Sequence, residues 1–536
     1  MKRRTFVKRS VAVAAVGVSG AWAGCRPAAL PMEGTIVGPN REVGHRMRDG
    51  SLPQPERFQP VDVVVVGGGV AGLAAARILS RSGTLKLVQL ELESEIGGNS
   101  SWGQTSTIAY PWGAHYVPLP GREAVEVLRL FEELGVITGR DSAGRPIYRE
   151  EYLCHDPEER LFLHGRWQEG LIPHLGVAPA DRAEIDRFLA RMQTLREASG
   201  TDGRPLFAIP LDRSSSDPGW RALDRESFST WLDREGFRAH PLRWYVDYCC
   251  RDDFGLAADG VSAWAGLHYF AARGGEAANA DSSAVVTWPE GNGWLVQRLR
   301  EAITGEVRRG CAVHSVVARE GRVRIAGFDV LSGTAVGWDA AQVVMAVPMF
   351  VAARLLGPAG AGRGVGAVYP PWLVANLTVD QVPEGRGMGP AWDNVLFEGR
   401  GLGYVVATHQ DLRTVTGESV LTYYLPLDQL PPAEARRQAA TWTWDQARDL
   451  VLRDLARAHP DIAAHTRRLD LKIWGHGMIC PVPGFLWHGD RQRWAEPLGH
   501  IHFAHSDLSG MSLFEEAYTR GVAAAQAVLQ RGKDSA

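Results

Sequence analysis

The sequence predicts an α/β fold in which one parallel sheet is assembled from separated stretches of chain, with an α+β portion inserted between them. Three observations predict it. Val61-Asp62-Val63-Val64-Val65-Val66 is a continuous, mostly β-branched run, which suits a strand buried on both faces of a parallel sheet. The run enters Gly67-Gly68-Gly69-Val70-Ala71-Gly72 and then an apolar helix over residues 73–82. A second strand over residues 85–90 ends on Glu91, 24 residues past Gly67. The glycines of this GxGxxG turn differ in what they permit. Gly67 allows the tight turn, Gly69 lets backbone approach a pyrophosphate, and Gly72 lets helix pack on strand. Glu91 stands where a carboxylate accepts hydrogen bonds from an adenosine ribose. This order of strand, turn, helix, strand and acid is that of a Rossmann-like dinucleotide-binding unit.

The chain has 536 residues, enough for two or three ordinary domains or one large two-domain enzyme. Hydrophobic residues make up 45% and charged residues 22%, which excludes a disordered or collagen-like chain. A net charge of −3 argues against a general nucleic-acid binder. Six cysteines are too few for a disulfide scaffold, and the adjacent Cys249 and Cys250 cannot readily bond each other. Without HExxH, paired CxxC, P-loop or GxSxG motifs, metal-hydrolase, kinase and serine-hydrolase readings have no support, and no metal site is predicted. Lys2, Lys8, Lys86, Lys472 and Lys533 are the only lysines, so nearly all positive charge is arginine.

The first residues read as an address. Arg3-Arg4-Thr5-Phe6-Val7-Lys8 resembles the twin-arginine export motif, and the apolar stretch over residues 11–23 falls short of the roughly 20 residues that span a bilayer. Ala23-Gly24-Cys25 resembles the end of a bacterial lipobox, so cleavage with a lipid anchor at Cys25 stands beside cleavage without one. The expected partner is the twin-arginine export machinery, and the expected location is the periplasm or the outer face of the inner membrane. Residues 26–58, rich in Pro, Gly and Arg, are expected to form a linker.

Several further pieces, in order, resemble the flavin amine oxidase superfamily, with monoamine and polyamine oxidases as members and phytoene desaturases as relatives. Glu91-Leu92-Glu93-Ser94-Glu95-Ile96-Gly97-Gly98 resembles the second half of that superfamily's FAD fingerprint. Tyr110-Pro111-Trp112-Gly113-Ala114-His115 resembles its Gly-Ala segment, where backbone passes beside the flavin ring. Trp288-Pro289-Glu290-Gly291-Asn292-Gly293 resembles the turn that re-enters the FAD domain, and the strand around Val313 resembles the one whose backbone meets the adenine. Val343-Val344-Met345-Ala346-Val347-Pro348 resembles the crossover, and the stretch from His502 to Ala517 the closing FAD motif. Within it, Ser512-x-x-Glu515 reads as a capping box opening a helix to about Gln530, whose positive end would face the flavin.

The resemblance implies a Rossmann-like FAD-binding domain interleaved with a discontinuous α+β substrate-binding domain. It implies FAD contacts from Gly67, Gly69, Val70, Ala71, Gly72, Glu91, Gly97, Gly98, Asn99, Gly113, Ala114, Val313, Ser506, Asp507, Leu513 and Phe514. Residues 59–121, 286–351 and 476–532 would form the FAD domain, and 122–285 with 352–475 the substrate domain. Helices are expected over 122–134, 180–198, 226–235, 241–250 and 433–458, and strands over 373–379 and 419–425.

Three departures stand out. Asn99 replaces the family's usual arginine, and Ala504-His505-Ser506-Asp507 displaces a carboxylate by one residue. No lysine lies between Lys86 and Lys472, where many amine oxidases keep one; Ala375 or Asn376 takes its expected place. That lysine assists flavin chemistry with oxygen in the family, so its absence favours a dehydrogenase, desaturase or isomerase. Tyr110, Trp112, Tyr369, Trp372 and Trp474 are aromatic candidates for walls over a flavin, and His115 and His476 for acid–base work. Cys480 lies near where some monoamine oxidases bear a covalent flavin, with the wrong spacing to Pro483-Gly484. The expected activity is oxidation of a small-molecule amine, or a related C–N or C–C bond, by hydride transfer to FAD. A desaturase or isomerase of an apolar substrate, and a non-catalytic flavin-bearing binding protein, remain as alternatives.

Overall fold

The computed structural model describes residues 32–412 and 417–534. The export motif and Cys25 lie outside the described residues. Strand Gln59–Val66 is central to a seven-stranded sheet, flanked in parallel by Leu87–Leu90 and by Thr334–Met345. Its β-branched run is explained by that position. Val63 and Val65 face the helices Val70–Ser80, Gly293–Glu301 and Phe514–Asp534, while Val64 and Val66 face a second core on the other side. All four are fully buried, each contributing roughly 1.5–3 kcal/mol of burial energy. Glu306–Arg308 extends the sheet in parallel beyond Leu87–Leu90. An antiparallel meander, Cys311–Arg319 and Arg322–Asp329, extends it on the other side, and Ile501–Phe503 joins Thr334–Met345 in parallel. The sheet therefore draws strands from three widely separated stretches of chain.

The long insertions build the second, eight-stranded mixed sheet, in which Trp372–Val379 lies between Ser419–Pro426 and Thr466–Trp474. Leu373, Ala375, Leu377, Leu421, Tyr423, Leu469 and Leu471 point to one face, covered by Pro432–Ala439 and Trp444–Leu455. Trp372, Val374 and Tyr424 point to the other face and share the core reached by Val64 and Val66. The helices Pro179–Glu197, Phe228–Arg234, His240–Phe254 and Ala263–Ala271 close that shared core. None of the described helices is long and apolar enough to cross a membrane.

Three expectations need correction. The described part of the expected linker is integrated into the fold: Ile36–Val37 pairs in parallel with Thr466–Trp474, and helix Arg41–Asp49 packs Val43 on Ala312 and Phe328. The single helix expected over 433–458 is two, because Thr443 and Gln446 form a reciprocal capping box that starts Trp444–Leu455 afresh. The last helix begins at Phe514, and the Ser512 hydroxyl accepts the Ile479 N–H.

Helix Phe514–Asp534 lies so close to Val70–Ser80 that a Cβ on Gly521 would sit 2.2 Å from the Ala71 carbonyl oxygen. Gly521→Ala is therefore expected to destabilise the protein by about 1–3 kcal/mol in urea unfolding, through overpacking against backbone. A change within about 0.5 kcal/mol, the range of an ordinary surface substitution, would contradict this packing.

Candidate active site

The strand Gln59–Val66 delivers its chain into a turn where the three glycines behave differently. A Cβ on Gly67 would lie 2.2 Å from the Ala346 carbonyl oxygen, and one on Gly72 would lie 2.1 Å from the Gly67 carbonyl oxygen. Gly67 also has φ +112°, open to glycine at little cost. Gly69 is the opposite case: nothing lies within 4 Å of a Cβ built there, and it caps helix Val70–Ser80 with no side-chain hydrogen bond. The N–H groups of Val70 and Ala71 open that helix, beside the open space, where backbone donors and the helix dipole favour an anion.

A second glycine turn is bonded to the first. Gly97 N–H donates to the Gly68 carbonyl at 2.8 Å, and Gly69 and Gly97 form a parallel bridge. Glu91, at the end of Leu87–Leu90, accepts the Gly68 N–H at 2.7 Å and the Glu93 N–H at 2.8 Å. Burial pushes its carboxyl up to about 7, against the pull of those backbone donors. Cys311 N–H donates to the Glu91 carbonyl, which places Val313 two residues further along the neighbouring strand.

Asn99 connects this turn to two others. Its carbonyl accepts the Ala114 N–H at 2.8 Å, and its side-chain amide donates to the Gly477 carbonyl. A Cβ on Gly113 would collide with the Asn99 carbonyl, and one on Gly291 with the Cα of His115. Gly67–Gly72, Gly97–Asn99, Gly113–Ala114 and the Gly291 turn are thus joined by direct contacts.

The closing segment sits against the crossover. Asp507 accepts the Met349 N–H at 2.8 Å and the Tyr369 hydroxyl at 2.5 Å, at the start of helix Met349–Leu356. Burial opposes its charge, but His505 beside it and these donors hold its carboxyl below the usual range. Ser506, like Asp507, is buried, and Leu513 and Phe514 open the last helix packed on Val70–Ser80. His476 stacks on Phe350 at 4.4 Å, and burial, then Arg436, lowers it to about 4.

His115 follows the Gly-Ala segment directly and lies in a different group of rings from the aromatics expected at the site. It stacks on Tyr424 at 4.7 Å and lies 5.4 Å from Trp392, while Tyr116 lies 5.9 Å from Trp392. The Tyr424 hydroxyl donates to the Gly113 carbonyl at 2.9 Å. His115 Nδ1 lies 3.3 Å from the same carbonyl, which can only accept, so Nδ1 carries the proton and Nε2 is the free acceptor. Burial lowers His115 to about 4. Tyr110, Trp112, Tyr369 and Trp372 are buried, and Trp474 ties its indole N–H to the Trp112 carbonyl.

Behind these rings stand carboxylates that no sequence motif announced. Tyr116 donates to Asp252 at 3.3 Å, and Tyr248 donates to Asp393 at 3.3 Å. Asp393 is the register partner of Glu159 in adjacent parallel strands. The only sequence signal was an acidic pair, Asp252-Asp253, in an otherwise largely apolar helix.

Asn376, at the expected lysine position, donates to the Pro111 carbonyl, while Ala375 faces the covering helices. Lys472 lies opposite Val374 in the next strand, donates to Ser101 at 3.1 Å and rests over the Trp474 ring at 4.2 Å. Burial lowers Lys472 to about 8, with Glu93 and Glu91 opposing. Cys480 is fully buried, and burial raises its thiol far above the usual range.

Residues 70–529 match the profile of flavin-containing amine oxidoreductases. The chain is 33% identical over 217 residues to a putative flavin-containing monoamine oxidase, AofH, of Mycobacterium tuberculosis; the match covers 40% of this chain and 41% of that protein. Its fold is similar to that of a putrescine oxidase double mutant, with TM-score 0.63 and 17% identity over 89% of this chain and all of the other. It is also similar to cyclohexylamine oxidase from Brevibacterium oxydans, with TM-score 0.62 and 18% identity over 90% of this chain and all of the other. With the profile spanning most of its length, the chain belongs to the flavin-containing amine oxidoreductase family.

Proposed function

We propose that this chain is an FAD-dependent oxidoreductase that oxidises a small-molecule amine. One observation carries the reading most directly: Gly69 leaves open space at an uncapped helix start, where a cofactor phosphate would fit, while Gly67 and Gly72 are committed to packing. The residues present suit FAD. Val70 and Ala71 would meet the pyrophosphate, Glu91 the ribose, and Gly113–Ala114 the flavin ring. When bound, FAD would supply the acceptor for a hydride from the C–H bond of the carbon next to the amine nitrogen, with a proton leaving nitrogen as C=N forms.

The rings of Tyr116, Trp392 and Tyr424 would orient the substrate and exclude water, and aromatic faces attract an ammonium. His115, held neutral by burial, adds no positive charge to repel an amine and offers Nε2 as a hydrogen-bond acceptor. For the location, the twin-arginine resemblance at Arg3-Arg4 supports export in the folded state, with the periplasm or the outer face of the inner membrane as destination. Cell fractionation of a chain carrying Arg3→Lys and Arg4→Lys tests this, since retention in the cytoplasm is the expected result.

A second reading, a flavin-dependent desaturase or isomerase of an apolar substrate, rests on the resemblance, which expects a lysine where this chain has Ala375 or Asn376. Anaerobic mixing with a panel of amines separates the readings, because bleaching of the flavin band is expected under the first. Slow reoxidation when air is readmitted is expected from the missing lysine. Fast reoxidation would contradict that second element.

Gly69→Ala should leave the thermal midpoint of the cofactor-free protein within about 2 °C, because its φ of −75° and open surroundings accept a methyl group. The same variant should bind FAD at least about tenfold more weakly, the methyl occupying the cradle. Unchanged FAD affinity would contradict the placement of the pyrophosphate. His115 is neutral well above pH 4, so its protonation cannot produce an inflection near neutrality. His115→Gln should therefore slow flavin reduction without moving any inflection between about pH 6 and 8. An inflection lost in the variant would show that His115 titrates there.

A further inference from the structure

A cavity of about 520 Å³ opens between helix Phe514–Asp534 and the segment 203–213. Three arginines from separate stretches of chain line it: Arg204, Arg213 and Arg520. Arg520 is engaged, with Asp212 at 2.7 Å and the Ser509 hydroxyl at 3.0 Å. The other carboxylate in the lining, Glu123, has Arg122 as its ion-pair partner at 3.4 Å. Arg204 and Arg213 are left without a counter-charge: neither guanidinium makes a hydrogen bond or ion pair among the described residues. Thr519, in the same lining, has a buried hydroxyl with no hydrogen-bond partner. A helical threonine can satisfy its hydroxyl on the carbonyl four residues earlier, and this one does not.

The two unpaired arginines stand on bonded backbone. The Arg204 N–H donates to Asp202 at 3.2 Å. The same carboxylate accepts the Ser215 hydroxyl at 2.8 Å, and the Ser216 N–H and hydroxyl at 2.7 Å and 2.8 Å. Arg213 ends the short 3-10 turn Leu211–Arg213, directly before those serines, and the Leu211 N–H donates to Glu516 of the last helix. Asp202 thus ties the two arginine-bearing turns together, and Glu516 ties them to the helix that carries Thr519 and Arg520. Such a scaffold lowers the ordering cost of binding.

A concave surface lined by one sign of charge concentrates the opposite ion. Each guanidinium offers a planar fork of donors that matches phosphate oxygens, and the threonine hydroxyl adds another donor. Donors arriving from different elements suit a tetrahedral dianion better than a single carboxylate. A water molecule takes about 30 Å³, so the cavity has room for more than a bare ion.

We propose that this cavity binds a small phosphate-bearing anion, held by Arg204, Arg213 and the Thr519 hydroxyl, with Arg520 beside them. The site is separate from the cofactor, because none of the residues expected to contact FAD lines it. It does not depend on the amine-oxidising function.

The test is isothermal titration of the FAD-loaded protein at constant ionic strength with inorganic phosphate, phenyl phosphate and acetate in turn. At least one of the two phosphates is expected to bind with Kd below about 1 mM, and acetate at least about tenfold more weakly. Tighter binding of phenyl phosphate assigns the site to an organic phosphate, and equal or tighter binding of inorganic phosphate assigns it to the free ion. In Arg204→Gln and in Arg213→Gln the affinity should fall at least about tenfold. Both side chains are exposed and unbonded, so the thermal midpoint should stay within about 2 °C. Arg191→Gln, which alters an exposed arginine of helix Pro179–Glu197 outside the cavity, should bind as the unaltered protein does. The proposal is overturned if neither phosphate binds up to about 10 mM or if acetate binds as tightly. Unchanged affinity in both cavity variants, or an equal loss in Arg191→Gln, would overturn it as well.

Discussion

The structure depends on how closely backbone approaches backbone at the end of strand Gln59–Val66. Gly67 touches the Ala346 carbonyl of the neighbouring strand, Gly72 touches Gly67, and Gly521 of the last helix touches Ala71. None of these positions accepts a side chain. Together they fix the helix Val70–Ser80 between a sheet and a helix that are far apart in sequence. The free start of that helix is then held in one place, and the second glycine turn bonds to it through Gly97 and Gly68. Asn99 carries this order onward to Ala114 through its carbonyl and to Gly477 through its side-chain amide.

Electrostatics divides the site into two parts. Around the glycine turns, Glu91 accepts two backbone N–H groups, whereas Asp507 accepts Met349 and Tyr369 through one oxygen and leaves the other buried without a hydrogen bond. Around His115, Asp252 and Asp393 accept the hydroxyls of Tyr116 and Tyr248, while burial lowers His115 and His476 to about 4.

The fold was legible in the sequence because its determinants are local. A β-branched run and a spaced glycine turn mark the central strand and its helix, and the order of motifs gives the interleaving. The less legible parts depend on contacts across the chain. Residues 26–58 looked like linker because they are rich in Pro, Gly and Arg, yet Val43 finds Ala312 and Phe328, and Ile36–Val37 pairs with Thr466–Trp474. Glu159 and Asp393 lie far apart in sequence and meet only through strand pairing, so no spacing rule could have joined them. The rings around His115 come from Tyr424 in strand Ser419–Pro426 and from Trp392 just before strand Asp393–Leu396, far from His115 in sequence.

The central claim is that this backbone arrangement holds FAD, and that Cys480, fully buried with its thiol raised far above the usual range, does not anchor it. The absorbance spectrum of the purified protein, before and after acid precipitation, tests both parts most directly. The account predicts oxidised-flavin bands in the native protein, with the chromophore left in the supernatant after precipitation. A protein that carries no flavin and takes up none from added FAD, or one whose flavin stays in the pellet, would contradict it.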